Sequence, residues 1–336
     1  MTDELTGGDQ ATVERADGEP ELSFEQTMPR SLAHRRALGE VFLTDSAQVA
    51  DDEFVLGVQV PRAHSLWFDR LVRFHDPLAP AEAARQAIFV IVHRYLGAPI
   101  GPPFSMRRLH LQIVDLEAFR EHDYTPLEGI LRLRLAEARR AGDTLGRTTF
   151  EGEFAVDGRT AMTVGGDAVF LSQLDYGELR EYQRARKPLD REAPPDVPPL
   201  DPGAVGRRDA RNVVIGEPSS QPGDPEQRYP LRIDLSHPSF FDHSYDHVPG
   251  PVLAEAFRQA AVVTATRAGA LATPVAALTG CEAAFADFAE PEALIECTAA
   301  RPEPRADGSV SVEVACHQFG KQLGDGRIEL RPYPDA

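Results

Sequence analysis

Glutamate, arginine and glutamine recur at one fixed spacing in this chain: Glu82, Arg85 and Gln86 within AEAARQA, and Glu255, Arg258 and Gln259 within AEAFRQA. Positions three apart share a helix face, so each acid can touch its arginine. Both sets sit among apolar residues, where a charge without a partner costs several kcal/mol. A buried carboxylate can have its pKa lifted toward neutrality, which suits general acid–base work. A guanidinium keeps its charge and grips a carboxylate, a phosphate or a developing oxyanion. On this reading Glu82, Arg85, Glu255 and Arg258 are catalytic candidates, and Gln86 and Gln259 are candidate substrate contacts that orient them. The same pair also reads as an ordinary helix-surface ion pair worth about 0.3–0.5 kcal/mol, with each glutamine satisfying backbone. Recurrence at one place in two apolar helices favours the first reading.

The loop before the second set reads FDHSYDHVPG. His243 is a candidate to exchange a proton with a helix acid, and Asp246, His247 and Gly250 are candidate substrate contacts. The alternative is that the histidines hold the loop in shape. No metal site is expected, because Cys281, Cys297 and Cys316 show no CxxC spacing, and the same scarcity of cysteine fits a reducing compartment. No cofactor is expected either: GxGxxG, Walker, HExxH and GxSxG patterns are absent.

These residues need two helices to carry them, and the chain supplies the helices by duplication. The stretch from His64 to Arg94 aligns without a gap with that from His237 to Arg267, at a shift of 173. His64 meets His237, Asp69 meets Asp242, Glu82 meets Glu255, and roughly a third of the positions are identical. Each copy predicts a strand (54–60 or 229–235), a loop, then a helix (79–96 or 251–270) with a proline in its first turn. Alternating apolar residues predict further strands around 109–113, 131–135 and 310–314, with hairpin signals at Asp157-Gly158 and Asp307-Gly308 and a last strand over 324–331. The helices are apolar nearly all round and must be enclosed. One enclosed helix with antiparallel strands, twice, gives an α+β tandem (double) hotdog. The expected divisions are a disordered acidic tail (1–28), a first hotdog (29–185), a Pro-rich linker (186–226) and a second hotdog (227–336). The short apolar run NVVIG within the linker is expected to lie on a domain as a strand.

Composition narrows the function classes. The 336 residues carry a net charge of -18, which argues against a broad nucleic-acid surface. Arg107 with Arg108, and Arg207, Arg208 and Arg211, read as solvated surface. The acidic, polar start is not a secretory signal and no segment reaches the ~20 apolar residues of a membrane span. A cytoplasmic protein without a membrane or nucleic-acid partner is expected.

The Pro-Gly five residues before Glu255, with His243 upstream, is similar to the hotdog dehydratases of fatty-acid synthesis, where a loop histidine works with a helix acid. More of the chain resembles the A-factor biosynthesis (γ-butyrolactone) hotdog-repeat family. The resemblance is carried by HRRALGEVFLTD, VPRAHSLWFD, DPLAPAEAARQAIFVIVHRYLGAP, FSMRRL and FDHSYDHVPGPVLAEAFRQA. It implies an acyltransferase that moves a β-ketoacyl group from an acyl carrier protein or CoA thioester onto the hydroxyl of dihydroxyacetone phosphate. The ester then closes to a butenolide, a signalling-lactone precursor. Under that resemblance Glu82 or Glu255 takes the hydroxyl proton, Arg85 or Arg258 holds the phosphate or the oxyanion, and helix N–H groups near Gly250 to Leu253 hold the thioester oxygen. Two other readings stay open: a dehydratase or thioesterase using His243 with Glu255, and a non-catalytic acyl-binding protein whose Glu/Arg pairs only lock the helices. The duplication supplies a pseudo-dimer within one chain, and further oligomerisation is left open.

Overall fold

The computed structural model describes residues 20–334 apart from 102, 142–143, 190–195 and 222. The first repeat contains β1 (Leu43–Ala50), β2 (Glu53–Val60), α1 (Leu78–Arg94), β3 (Phe104–Ile113), β4 (Leu127–Ala141), β5 (Thr144–Val156) and β6 (Arg159–Phe170). A helix, α2 (Gln173–Arg184), follows; Ser172 caps it by accepting the Asp175 N–H. The second repeat contains β7 (Glu226–Pro230), α3 (Gly250–Arg267), β8 (Ala276–Phe285), β9 (Glu296–Ala300), β10 (Glu303–Pro304), β11 (Val310–Gln318) and β12 (Lys321–Pro332).

Among the described residues the strands form one antiparallel sheet in the order β1-β2-β4-β5-β6-β3-β8-β12-β11-β9-β7, with β10 on β11. The seam between repeats is β3 against β8, where Leu109 faces Ala283 and Leu111 faces Cys281. The two halves of the sheet mirror each other about that seam, and each wraps its own helix. The result is the α+β double hotdog that the duplication predicts.

Side-chain period explains the wrapping. Leu131, Leu133 and Leu135 point inward along β4 while Arg132 and Arg134 face outward. Ala83, Ala84, Ala87, Ile88, Val90 and Ile91 bury α1 on every side, and Ala256, Phe257, Ala260, Ala261 and Val262 do so for α3. The many alanines let strands approach each helix closely. At Asp157 (φ 49°) and Gly158 (φ 73°) both residues take the left-handed conformation that a two-residue hairpin requires. The expected Asp307-Gly308 turn joins β10 to β11, with Gly308 left-handed (φ 80°), and a further tight turn, Phe319-Gly320, joins β11 to β12.

Several boundaries differ from expectation. The strand read at 229–235 is β7, Glu226–Pro230, with a single further bridge at Leu231. Residues 20–28 were assigned to a disordered tail, yet Leu22 and Met28 are buried; residues 1–19 lie outside the described residues. The Pro-rich stretch is no extended spacer where it is described. Val205, Val213, Val214 and Ile215 are buried, and Ile215 bridges Leu231 as the counterpart of β1. Arg207, read as solvated surface, is 1% exposed. All three cysteines are free and buried; burial pushes the Cys281 and Cys316 thiols up to about 12, so neither is a ready nucleophile.

The repeats strap each other reciprocally. Asp69 of the first accepts the N–H groups of Arg208 and Asp209 and the amide of Asn212. Its counterpart Asp242 accepts those of Arg36 and Ala37. The aligned histidines open matching turns: His64 Nδ1 accepts from Leu66 and Trp67, and His237 Nδ1 from Ser239 and Phe240. Protonating His237 at Nδ1 would break both of the bonds it accepts there. Burial lowers His237 to about 4 and His75, also buried, to about 4, from an ordinary 6.5. The unfolded chain therefore binds more protons than the folded one between pH 6.5 and 4, and acid favours unfolding. We expect the urea midpoint to fall steadily as pH drops through that window, with a slope approaching about 1.4 kcal/mol per pH unit for each histidine. A flat midpoint across it would contradict this account.

Candidate active site

Helical spacing puts Glu82, Arg85 and Gln86 on one side of α1, facing the segment before β1. The Glu82 carboxylate accepts Arg85 Nε and Nη2, both at 2.8 Å, and Gln86 Nε2 at 2.9 Å. It also accepts Arg35 Nη2. Gln86 is held in turn, its Oε1 accepting the Phe42 N–H and its Nε2 donating to the Glu40 carbonyl. The second repeat builds the same cluster. Glu255 accepts Arg207 Nη2 (3.0 Å), Arg258 Nε (3.0 Å) and Gln259 Nε2 (2.6 Å), while Gln259 bridges the Val214 N–H and the Asn212 carbonyl. Each cluster thus has a second arginine, Arg35 or Arg207, that the sequence reading did not single out. The signal was present: RRALGEVFL from Arg35 and RRDARNVVI from Arg207 are related, but one residue out of register with the helices.

The second arginine changes the electrostatics. Burial alone would push Glu82 up, but the Arg35 and Arg85 guanidiniums, with hydrogen bonds from Arg85 and Gln86, hold it well below the usual carboxylate range. Glu255 is likewise lowered against burial by Arg207 and Arg258. The pKa near neutrality expected for a general base is not found: both acids are held ionised.

A cavity of about 970 Å³ opens on one cluster and not on the other. It lies between the repeats. Arg35, Glu82 and Arg85 line it from the first repeat, and His243, Asp246, His247 and Gly250 line it from the loop and helix start of the second. Glu255, Arg258, Gln86 and Gln259 do not line it. Glu255, Gln86 and Gln259 are 0% exposed, so the glutamines brace the acids and have no route to a substrate. The sequence order pairs His243 with Glu255, twelve residues on; the fold has His243 share a cavity with Glu82 instead. The rest of the wall mixes apolar side chains, among them Trp67, Leu78, Phe104 and Met106, with polar ones such as Arg107, Gln173, Tyr176 and Asp287.

Besides His247, two histidines of different character face this space. His243 lies 3.6 Å from Asp242, the acid fixed by the Arg36 and Ala37 N–H groups, and packs on Tyr245 with ring centres 4.1 Å apart. Burial lowers its pKa despite Asp242, so it is neutral at pH 7. His34, not singled out by sequence, has a left-handed backbone (φ 52°), stacks on Phe89 and lies 2.7 Å from His93 Nε2. Burial and His93 lower His34 to about 3.

Asp246 and His247 are held from α2. Asp246 accepts Tyr176 Oη and Arg180 Nε and is bonded to His247 Nδ1. Arg180 also donates to the buried Glu290, which takes Arg184 and Lys187 as well. At the start of α3, Pro251 has no N–H and the Val252 N–H is bonded to the Pro249 carbonyl. Of the residues from Gly250 to Leu253, Pro251 and Val252 therefore have no N–H to offer a carbonyl.

Comparison with known proteins follows the same outline. A family model described as the A-factor biosynthesis hotdog domain matches residues 16–170 and 189–334. The chain is 36% identical over 239 residues to a 2-oxo-3-(phosphooxy)propyl 3-oxoalkanoate synthase of Streptomyces virginiae, covering 70% of this chain and 76% of the relative. It is 29% identical over 307 residues to the protein of that name from Streptomyces coelicolor, covering 89% and 90%. Among solved structures, the dehydratase domain of RzxB from Pseudomonas fluorescens is 14% identical with a TM-score of 0.49, covering 87% of this chain and 98% of that one. A putative thioesterase from Novosphingobium aromaticivorans is 16% identical with a TM-score of 0.48, covering 86% and 98%.

The closed cluster yields a stability test. Glu255→Gln leaves Arg207 and Arg258 buried with only the more distant Asp76 carboxylate between them, and removing one partner of a buried pair costs about 3–5 kcal/mol. Urea denaturation should show a loss of that order; a loss under about 1 kcal/mol would mean that the cluster is not what holds α3 to its surroundings.

Proposed function

This chain belongs to the A-factor biosynthesis hotdog-domain family, and we propose that it performs the reaction for which its curated relatives are named. A 3-oxoacyl thioester, carried by an acyl carrier protein or CoA, donates its acyl group to the free hydroxyl of dihydroxyacetone phosphate. The product is 2-oxo-3-(phosphooxy)propyl 3-oxoalkanoate with a free thiol. The observation that carries the reading is that one cavity joins apolar side chains, the cluster of Arg35 and Arg85, and His243.

The acyl chain lies along Leu78, Phe104 and Met106, whose burial of methylenes contributes about 0.8 kcal/mol each. The hydroxyl oxygen attacks the thioester carbon, the C–S bond breaks, and the hydroxyl proton passes to His243 and from it to the departing thiolate. His243 suits this step because it is neutral; Glu82, ionised between two guanidiniums, fixes their position instead. The Gly250 N–H, at the start of α3, faces the developing oxyanion. Asp246 and His247, clamped by Tyr176 and Arg180, hold the loop that carries His243. Glu255 and Arg258 keep α3 in place and touch no substrate. The reaction belongs in the cytoplasm, where carrier-bound thioesters are made; among the described residues no helix is long and apolar enough to cross a membrane.

Incubating the protein with a 3-oxoacyl thioester and dihydroxyacetone phosphate should give the phosphorylated ester by mass spectrometry. His243→Asn should lower kcat by about 100-fold or more, with KM for the acceptor changed far less. Because the histidine must be neutral and its pKa lies below the ordinary 6.5, the rate should stay level through neutral pH and fall only in acid below that value. Free 3-oxo acid formed at the same rate without acceptor would make the protein a hydrolase instead.

A further inference from the structure

The two clusters differ in where their second carboxylate sits. In the second repeat, Asp76 reaches from the turn before α1 and sets Oδ2 3.4 Å from Arg207 Nη2 and 3.3 Å from Arg258 Nη1. Two guanidiniums there meet two carboxylates, Glu255 and Asp76, and the cluster is neutral and closed. At the repeat shift of 173, the residue matching Asp76 is Pro249, which carries no charge. No second carboxylate bonds the two guanidiniums of the first-repeat cluster: buried Glu40 acts on Arg35 electrostatically but spends its oxygens on Ser239 and His64.

A second observation points the same way. Arg35 is 7% exposed, and its Nε is buried without a hydrogen-bond partner among the described residues. In the closed cluster the matching Arg207 Nε donates to Glu255. A buried guanidinium donor left unused is costly and marks where a partner belongs. Both Arg35 and Arg85 line the cavity, as does Pro249.

We infer that the open cluster is an anion seat between Arg35 and Arg85, that Asp76 shows in the closed cluster how it is filled, and that its ligand is a phosphomonoester. This deepens the reading above, on which it rests for the identity of the phosphate: that of the acyl acceptor. Paired guanidinium forks match phosphate geometry, and Glu82 fixes both forks before the ligand arrives. Arg35 and Arg85 bind the acceptor's phosphate, and the carbon chain between phosphate and hydroxyl brings the hydroxyl toward His243. Pro249 is the position that keeps the seat open.

The test is Pro249→Asp, which copies the closed cluster into the open one. The variant should fold, since its residue sits at the N-cap of α3 with extended backbone, where aspartate is favoured. Calorimetric titration with dihydroxyacetone phosphate, without thioester, should show one site per wild-type chain, with inorganic phosphate competing and dihydroxyacetone not binding measurably. In Pro249→Asp the affinity for dihydroxyacetone phosphate should fall by more than about 30-fold from like-charge repulsion, with thermal stability kept or raised. Wild-type affinity in the variant, or equal binding of dihydroxyacetone and its phosphate, overturns the seat. Binding that the variant abolishes, with no ester formed by the wild type from a 3-oxoacyl thioester, leaves the seat standing and defeats the proposed reaction. Ester formation by the variant with an unchanged acceptor KM defeats the seat and leaves the reaction.

Discussion

A carboxylate held ionised inside an enclosed helix sets the terms for the rest of this molecule. Glu82 and Glu255 stand on helices wrapped by sheet, where an unpaired charge would cost several kcal/mol. Each is met by an arginine one turn on, by a second arginine from the segment before the first strand, and by a glutamine that also ties that segment's backbone. The cluster therefore locks three pieces of chain that hydrophobic burial alone would leave free to slide. Arg207 carries the lock further, donating to the Leu66 and Asp69 carbonyls of the other repeat. The straps through Asp69 and Asp242 complete a pseudo-twofold frame.

Within that frame the two halves have diverged in charge more than in shape. Hotdog units pair so that the loop of one meets the helix of the other, and here both partners are covalently joined. Duplication frees one of the two interfaces from chemistry. Asp76 bonds both guanidiniums of the second cluster, which holds the frame; Pro249 sets no carboxylate against those of the first, beside the cavity. In a net acidic protein the unused donor of Arg35 concentrates anion affinity at one place, since partly buried charges are screened less than the acidic surface around them.

The fold was largely legible because its signals are periodic. Leucine alternation gave β4, the Asp157-Gly158 turn gave a hairpin, and apolar residues on every side gave the two helices. Phe319-Gly320 escaped notice because a bulky residue at φ 52° is an unusual turn former. The Pro-rich stretch was misread because composition reports the absence of helix and sheet, not the absence of burial: Val205 and Arg207 are buried there, while NVVIG packs on the domain as expected, its strand reduced to one bridge at Ile215. The site was half legible. Glu82 and Arg85 stood out by recurrence, but Arg35 and Arg207 follow the repeat one residue out of step, and adjacent arginines resemble surface. The carboxylate pKa was misjudged because its direction depends on how many guanidiniums arrive from distant chain. His243 was matched to the acid nearest in sequence, whereas the cavity is built across the repeats.

The central claim is that one anion site exists per chain and that it spans the repeats at Arg35 and Arg85. A crystal structure with dihydroxyacetone phosphate bound tests this most directly. The account predicts a single phosphate within hydrogen-bond reach of the Arg35 and Arg85 guanidiniums, against Pro249, with the carboxylate of Asp76 still seated between Arg207 and Arg258. A phosphate between Arg207 and Arg258 with Asp76 displaced, or one bound away from both arginine pairs, would contradict it.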